Sequence, residues 1–341
     1  MINKKILILG SNEDFSIEKM YERAFKKLGF KVNLLHLYNI KNNLLYRFIW
    51  KYFRFIYFIL IRKKIIKYLE NSNKKYDLII IFKGIYINEL FISLIKKKCD
   101  KSKIINIFPD NPFEIDYFKD ISNKNVLRTI QYFDHIFIYS KVIIKKLRDK
   151  YPKIRFSYLP FGYDSVVHKS LKKKSNNSVN YDLSFVGTAD DERYQIIKQL
   201  DEFKIILAGN GWNNYKLGKN ITYVKEVNFK NFSKLLKRSK VSLNILRKQN
   251  KDSHNMKTFE IPSMGGLMIT NRTVEQNFYF PENKASLMYG NIRELKLKIR
   301  KINNSYKKNN KIQKRSYAIV KKHSYVERAK YLLKKIYEQN Y

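Results

Sequence analysis

Short runs of Ile, Leu, Val and Phe recur along the chain, separated by longer stretches in which apolar residues return at helical spacing. Strands that are apolar at consecutive positions are covered on both faces, so this pattern predicts parallel sheets wrapped in helices. The first half offers strands at Lys5–Leu9, Lys31–Leu35, Asp77–Phe82, Lys103–Ile107, His135–Tyr139 and Arg155–Leu159. Beyond Leu159-Pro160-Phe161-Gly162-Tyr163-Asp164 the periodicity fades, and Lys172 to Asn180 hold no aromatic residue and one aliphatic, Val179, which reads as a polar linker. A second series follows, with strands at Tyr181–Val186, Phe203–Ala208, Ile221–Val224, Val241–Ile245 and Leu267–Thr270, and helices over Asp191–Leu200, Asn231–Arg238 and Lys257–Ser263. The expected order is a Rossmann-like domain at 1–170, another at 181–325, and a helical tail that begins near Asn291 and closes with a helix over 326–341.

Composition changes this picture little. With 341 residues and 44% hydrophobic content, two domains are favoured over one or three. A net charge of +41 raises nucleic acid as a partner, but the lysines are spread along the whole chain with heavy Asn, Ile and Tyr use, so no specific nucleic-acid site is indicated. A diffuse positive field instead suits an anionic membrane surface or a diphosphate-bearing substrate. Cys99 stands alone, which excludes an intrachain disulfide and a cysteine-rich metal site and fits a reducing cytoplasm. The N-terminus reads as a first strand because no small-residue cleavage site follows its apolar run, and no uncharged apolar stretch is long enough for a transmembrane helix. The expected place is cytoplasmic, with peripheral binding at the inner face of the membrane as an option.

That option rests on Leu44–Leu69, which is rich in Phe, Tyr and Ile and holds Trp50, with Arg47, Lys51 and Arg54 on one helical stripe. Two readings stay open: an interfacial helix with a basic face and aromatic anchors, or a long helix covering the first sheet.

The densest cluster of informative residues runs from Val241 through Asn244 and Arg247, then from Asp252 through His254, Asn255, Lys257, Thr258 and Glu260 to Gly265-Gly266. Its shape is strand, loop, helix, glycine turn and strand. Such a loop lies at the carboxyl end of a sheet, where open α/β domains take ligands, and a helix start offers N–H groups and a positive dipole end to an anion. Lys257 and Arg247 bring charge for a diphosphate, and Glu260, one turn into the helix, can accept from two neighbouring ribose hydroxyls. A plainer reading is equally open: Asn255 caps the helix, Glu260 favours its early turns, and the glycines end it. Gly187, Gly209 and Gly211 follow apolar strands and are either sites of close ligand approach or ordinary turns.

On these residues the chain resembles the group 1 glycosyltransferases, particularly the branch related to the spore maturation protein CgeB. The stretch carrying Leu243-Asn244 and Arg247, then Lys257-Thr258-Phe259-Glu260 and Gly265-Gly266, is similar to that branch, with Lys257 where Arg is usual, and the exchange loses a planar fork for phosphate. Asp182 to Thr188 with Arg193, Ala208-Gly209-Asn210-Gly211-Trp212, and His323-Ser324-Tyr325 with Arg328-Ala329 extend the likeness over roughly residues 181–335. The resemblance implies a GT-B fold, two Rossmann-like domains facing across a cleft. It implies a nucleoside diphosphate sugar on the second domain, a glycan, lipid-linked or protein acceptor at the first, and retention at the anomeric carbon. Carried over by position, Glu260 binds the donor ribose, Arg193, Arg247 and Lys257 are candidates for the diphosphate, and Gly187, Gly209, Asn244, Asn255, Thr258 and Gly265 lie around the donor. Asp252 stands where many retaining relatives place a second Glu, with His254 as its substitute, and a reading of both as solvated loop residues is equally open.

In the first half, Asp110 within Asn106-Ile107-Phe108-Pro109-Asp110-Asn111-Pro112 follows a strand and is a candidate base for an acceptor hydroxyl, or equally an Asx turn before proline. Gly10-Ser11-Asn12 lacks the dinucleotide spacing. No metal and no cofactor is expected, since cationic side chains can neutralise a leaving diphosphate. Two other functions stay in view: a non-catalytic coat or assembly protein on the same shell, and a basic nucleic-acid binder.

Overall fold

The computed structural model describes residues 4–37, 45, 48–49, 52–71, 75–113, 122–170, 179–225, 229–304 and 310–337. The chain divides into two compact units, one of residues 1–160 with 325–341 and the other of residues 161–324.

The first unit is built on a six-stranded parallel sheet: β1 (Lys5–Gly10), β2 (Lys31–His36), β3 (Leu78–Phe82), β4 (Lys103–Phe108), β5 (His135–Ile138) and β6 (Phe156–Tyr158), in the order β2-β1-β3-β4-β5-β6. All five residues of β3 are buried, as are the last five of β1 and of β4, which is the burial that consecutive apolar residues require. The closing helix, Tyr325–Tyr337, packs on this unit. Tyr325 meets Tyr21 of the helix Ile17–Lys27 edge-on at 5.1 Å, and Lys103 donates to the Ile336 carbonyl at 2.9 Å.

The second unit repeats the plan with β7 (Tyr181–Val186), β8 (Ile205–Ala208), β9 (Ile221–Val224), β10 (Ser239–Asn244), β11 (Met268–Asn271) and β12 (Leu287–Tyr289), ordered β12-β11-β10-β7-β8-β9 and all parallel. One face carries a core of Leu183, Phe185, Leu207, Trp212, Leu243 and Ile269 with Leu295 and Ile299 from the helix Ile292–Asn304. The α/β class with two Rossmann-like sheets is the expected one; β12 and the short helix Val274–Tyr279 were not anticipated.

Each sheet has one place where the strand order reverses. It falls between β1 and β3 in the first unit and between β7 and β10 in the second, and in doubly wound sheets the carboxyl ends beside such a reversal form the ligand crevice. The expected linker over Lys172–Asn180 lies outside the described residues except for Val179 and Asn180, as do Arg47, Trp50 and Lys51 of the ambiguous segment; its described part includes a helix, Arg54–Asn71. Among the described residues no helix is long and apolar enough to cross a membrane.

Candidate active site

In the second unit the loop between β10 and the helix Lys257–Ser263 is fixed by its own polar groups. The amides of Asn244 and Asn255 bond each other reciprocally at 3.1 and 2.8 Å, and Asn255 Oδ1 also accepts the Thr258 N–H at 3.2 Å. Thr258 is fully buried, and its hydroxyl returns to Asn255. Phe259 and Glu260 N–H both bond the Met256 carbonyl at 3.0 Å. The N–H groups of Thr258, Phe259 and Glu260 are thus taken by the loop itself. Asn244, Asn255 and Thr258 shape the loop.

Glu260 is 2% exposed. Its Oε2 lies 2.6 Å from Lys257 Nζ, and its Oε1 lies 3.5 Å from Nε2 of His168, a residue 92 positions earlier. Burial pushes the carboxyl upward, yet the Lys257 charge and the His168 ring more than offset this and hold it at about 2. The site therefore contains a buried, ionised carboxylate. The Lys257 ammonium sits 4.4 Å from the centre of the Phe232 ring and stays partly exposed.

At the reversal between β7 and β10, Arg193 donates to the Thr188 carbonyl at 2.9 Å and to the Ile245 carbonyl at 3.0 Å, stacked over Phe185. Its guanidinium ties the two strand ends together. Arg247 is the more accessible cation, about a third exposed, with Nε 3.5 Å from Asp190 Oδ2. Gly209, at φ 127°, is required because a Cβ there would lie 2.3 Å from the Gly187 carbonyl oxygen, so strand-end packing accounts for it without a ligand. Gly265, at φ 77°, ends its helix in a Schellman motif: its N–H bonds Pro262 O and that of Gly266 bonds Ile261 O, both at 2.9 Å.

The reading of His254 is corrected. It is fully buried, Nδ1 lies 2.7 Å from Glu275 Oε2, and Nε2 accepts the Phe161 N–H at 3.2 Å. With both nitrogens engaged among Phe161, Phe259 and Tyr279, the ring is a core element and has no nitrogen left for substrate. Asp252 is exposed on the same loop.

In the first unit Asp110 pairs with Lys83 at 2.9 Å. Lys83, at φ 60°, follows β3 and also acts electrostatically on Glu18, which the sequence did not single out. Glu18 is 5% exposed and folds over the end of β1, so that a Cβ on Gly10 would lie 2.5 Å from its Cγ. Burial raises its pKa; the N–H groups of Glu18 and Ser11, the Ser16 hydroxyl and Lys83 oppose this without cancelling it. Gly10 and Ser11 thus take part as the floor beneath a carboxyl group. Among the described residues no three His, Cys, Asp or Glu side chains gather as metal ligands would.

Residues 193–334, which include Glu260, Lys257 and Arg247, match the model of a family described as glycosyl transferase-like. The chain is similar in fold to the sucrose-phosphate synthase of Thermosynechococcus elongatus, with a TM-score of 0.70 at 10% identity over 98% of both chains. It is similar likewise to Anabaena HepE, solved in complex with UDP-glucose, with a TM-score of 0.67 at 10% identity over 98% of this chain and 99% of that one. The phage T4 glucosyltransferase BGT, in complex with its UDP-glucose substrate, gives a TM-score of 0.60 at 15% identity over 97% and 98%. The chain has the GT-B fold of these enzymes. No curated protein sequence matches it. Among the expected donor residues, Glu260 is a buried carboxylate, and Lys257 and Arg247 are partly exposed cations.

Proposed function

We propose that the chain is a glycosyltransferase that takes its sugar from a uridine diphosphate sugar and passes it, with retention, to a hydroxyl of a glycan, a lipid-linked saccharide or a protein. The observation that carries the reading is the buried, ionised Glu260 with Lys257 on one oxygen. A carboxylate held in that state accepts from two vicinal hydroxyls, and a nucleotide's ribose presents such a pair. Lys257 and Arg247 supply positive charge for the diphosphate, whose departure from the anomeric carbon they assist as the acceptor oxygen bonds there and gives up its proton. UDP-glucose in HepE and in the T4 enzyme supports uridine as the base. The likeness to the CgeB branch supports a cell-surface acceptor.

A thermal-shift titration with UDP and UDP-sugars, on wild type and Glu260→Ala, tests this. Wild type should melt higher with ligand and the variant should lose the shift while keeping its fold; equal shifts in both would remove Glu260 from the donor site. A non-catalytic shell would show no shift in either. Product anomeric configuration reports retention directly, and inversion would overturn that part.

A second reading concerns where the acceptor lies. Phe48 and Phe55 are 53% and 68% exposed, and Leu45, Tyr52 and Phe53 beside them are also exposed. From Lys41 to Leu69 the sequence holds eight Lys and Arg and no acidic residue. Exposed aromatics within an all-basic stretch suit an anionic bilayer. Vesicles of phosphatidylglycerol should sediment the protein where phosphatidylcholine vesicles do not, and Phe48→Ser with Phe55→Ser should weaken this by about tenfold. Binding unchanged by the substitutions would sink the reading.

A further inference from the structure

Glu260 and His168 reach each other from segments far apart in sequence, and the histidine is held in one tautomer. The Asp164 N–H donates to His168 Nδ1 at 2.8 Å, so the neutral ring carries its proton on Nε2, the atom that faces Glu260 Oε1 at 3.5 Å. The segment that delivers the ring is fixed at several points. Asp164 Oδ1 accepts the Val166 N–H at 2.8 Å in an Asx turn, the Tyr163 N–H bonds the His323 carbonyl at 3.1 Å, and the Phe161 N–H bonds His254. His168 itself is 2% exposed. The two partners of Glu260 therefore differ in kind. Lys257 is long and partly exposed, and its charge is what a diphosphate would draw. His168 is sealed in the core and held by backbone.

We propose that His168 is a positioning residue that sets the Glu260 carboxylate for the ribose hydroxyls and keeps it set when Lys257 turns to the diphosphate; this rests on the donor reading above. With Lys257 drawn off, Oε2 becomes open to one hydroxyl. Oε1, which Nε2 faces at 3.5 Å, keeps a lone pair for the other. A buried carboxylate deprived of both partners would lose its orientation and its ionised state, so the histidine is what lets the lysine leave.

The experiment compares affinity for UDP and 2′-deoxy-UDP, measured by calorimetry, in wild type, H168F and H168Q. Wild type should prefer UDP by about tenfold or more, the worth of a hydrogen bond to a charged group. H168F should cut that preference to less than about threefold, with its loss falling on UDP and affinity for the deoxy ligand nearly kept, and H168Q, which retains an N–H donor, should restore part of it. Where H168F does not fold, H168N, too short to reach Glu260, takes its place with the same expectation. A purely structural histidine would weaken both ligands equally, and an unchanged ratio in H168F or H168N overturns the proposal. A wild type that binds UDP and 2′-deoxy-UDP alike is a different result: it removes the ribose from Glu260, and the role of His168 falls with the donor reading.

Discussion

Two glutamates sit at the carboxyl edges of the two sheets, each almost wholly buried, and they stand on opposite sides of the ordinary carboxyl range. Glu18 is pushed above it and Glu260 is held at about 2. Burial acts on both in the same direction, so desolvation alone does not decide the charge of a buried carboxyl. The partners decide it. Glu260 has an ammonium at 2.6 Å and a histidine N–H directed at its other oxygen. Glu18 has backbone N–H groups, a serine hydroxyl and Lys83, whose charge is shared with Asp110. Glu18 is biased toward its protonated form, and Glu260 is kept as a fixed anion. A ribose that must be held calls for the latter.

The sharpest way to break this contrast is to remove each charge without changing shape and follow stability against pH. For Glu260 the folded value of about 2 lies below the ordinary 4.5, so its ionisation stabilises the fold above pH 4.5 and that contribution disappears as pH falls toward 2. Glu260→Gln should therefore be less stable than wild type at pH 7, by on the order of 3 kcal/mol, with the gap closing on acidification. For Glu18 the folded value is raised, and the sign reverses. Wild type is fully stable below the ordinary value of 4.5 and loses stability as pH rises through the folded value, because the unfolded chain ionises first. Glu18→Gln should match wild type at pH 4 and melt above it at pH 8. Denaturant melts from pH 3 to 8 check both, and curves that diverge in the same direction would show that the two sites are alike after all.

How much of this contrast is legible in the sequence depends on the range of the contact that creates it. The helix carrying Glu260 was readable residue for residue at Lys257–Ser263, because Asn255 before it and Gly265 after it are local punctuation. Its partner Lys257, three positions away, was readable for the same reason. His168 was not, since nothing periodic links it to a helix 92 positions later. Glu18 looked like any acid in a first helical turn, and only Gly10, whose missing side chain makes room for it, hinted at burial. His254 shows the converse: it resembles a ligand-binding residue in isolation, and Glu275 and the Phe161 N–H that occupy its ring come from elsewhere in the fold, as do the carbonyls of Thr188 and Ile245 that Arg193 meets. Strand β12 escaped because three residues are too few for a pattern.

The smallest expected effect separates Glu18 from its neighbour. Asp110 meets Lys83 in a partly exposed pair, and such pairs contribute about 1 kcal/mol or less, so Asp110→Asn should scarcely change stability. Its more telling consequence is indirect. Lys83 lowers the Glu18 pKa, and an ammonium relieved of one carboxylate acts more fully on the other, so the deficit of wild type against its Glu18→Gln counterpart at pH 8 should shrink when Asp110 is neutralised. Turnover should fall only a few-fold, since the Asp110 carboxylate is already engaged by Lys83. A loss of about a hundredfold in Asp110→Asn would instead make Asp110 the group that receives the acceptor proton.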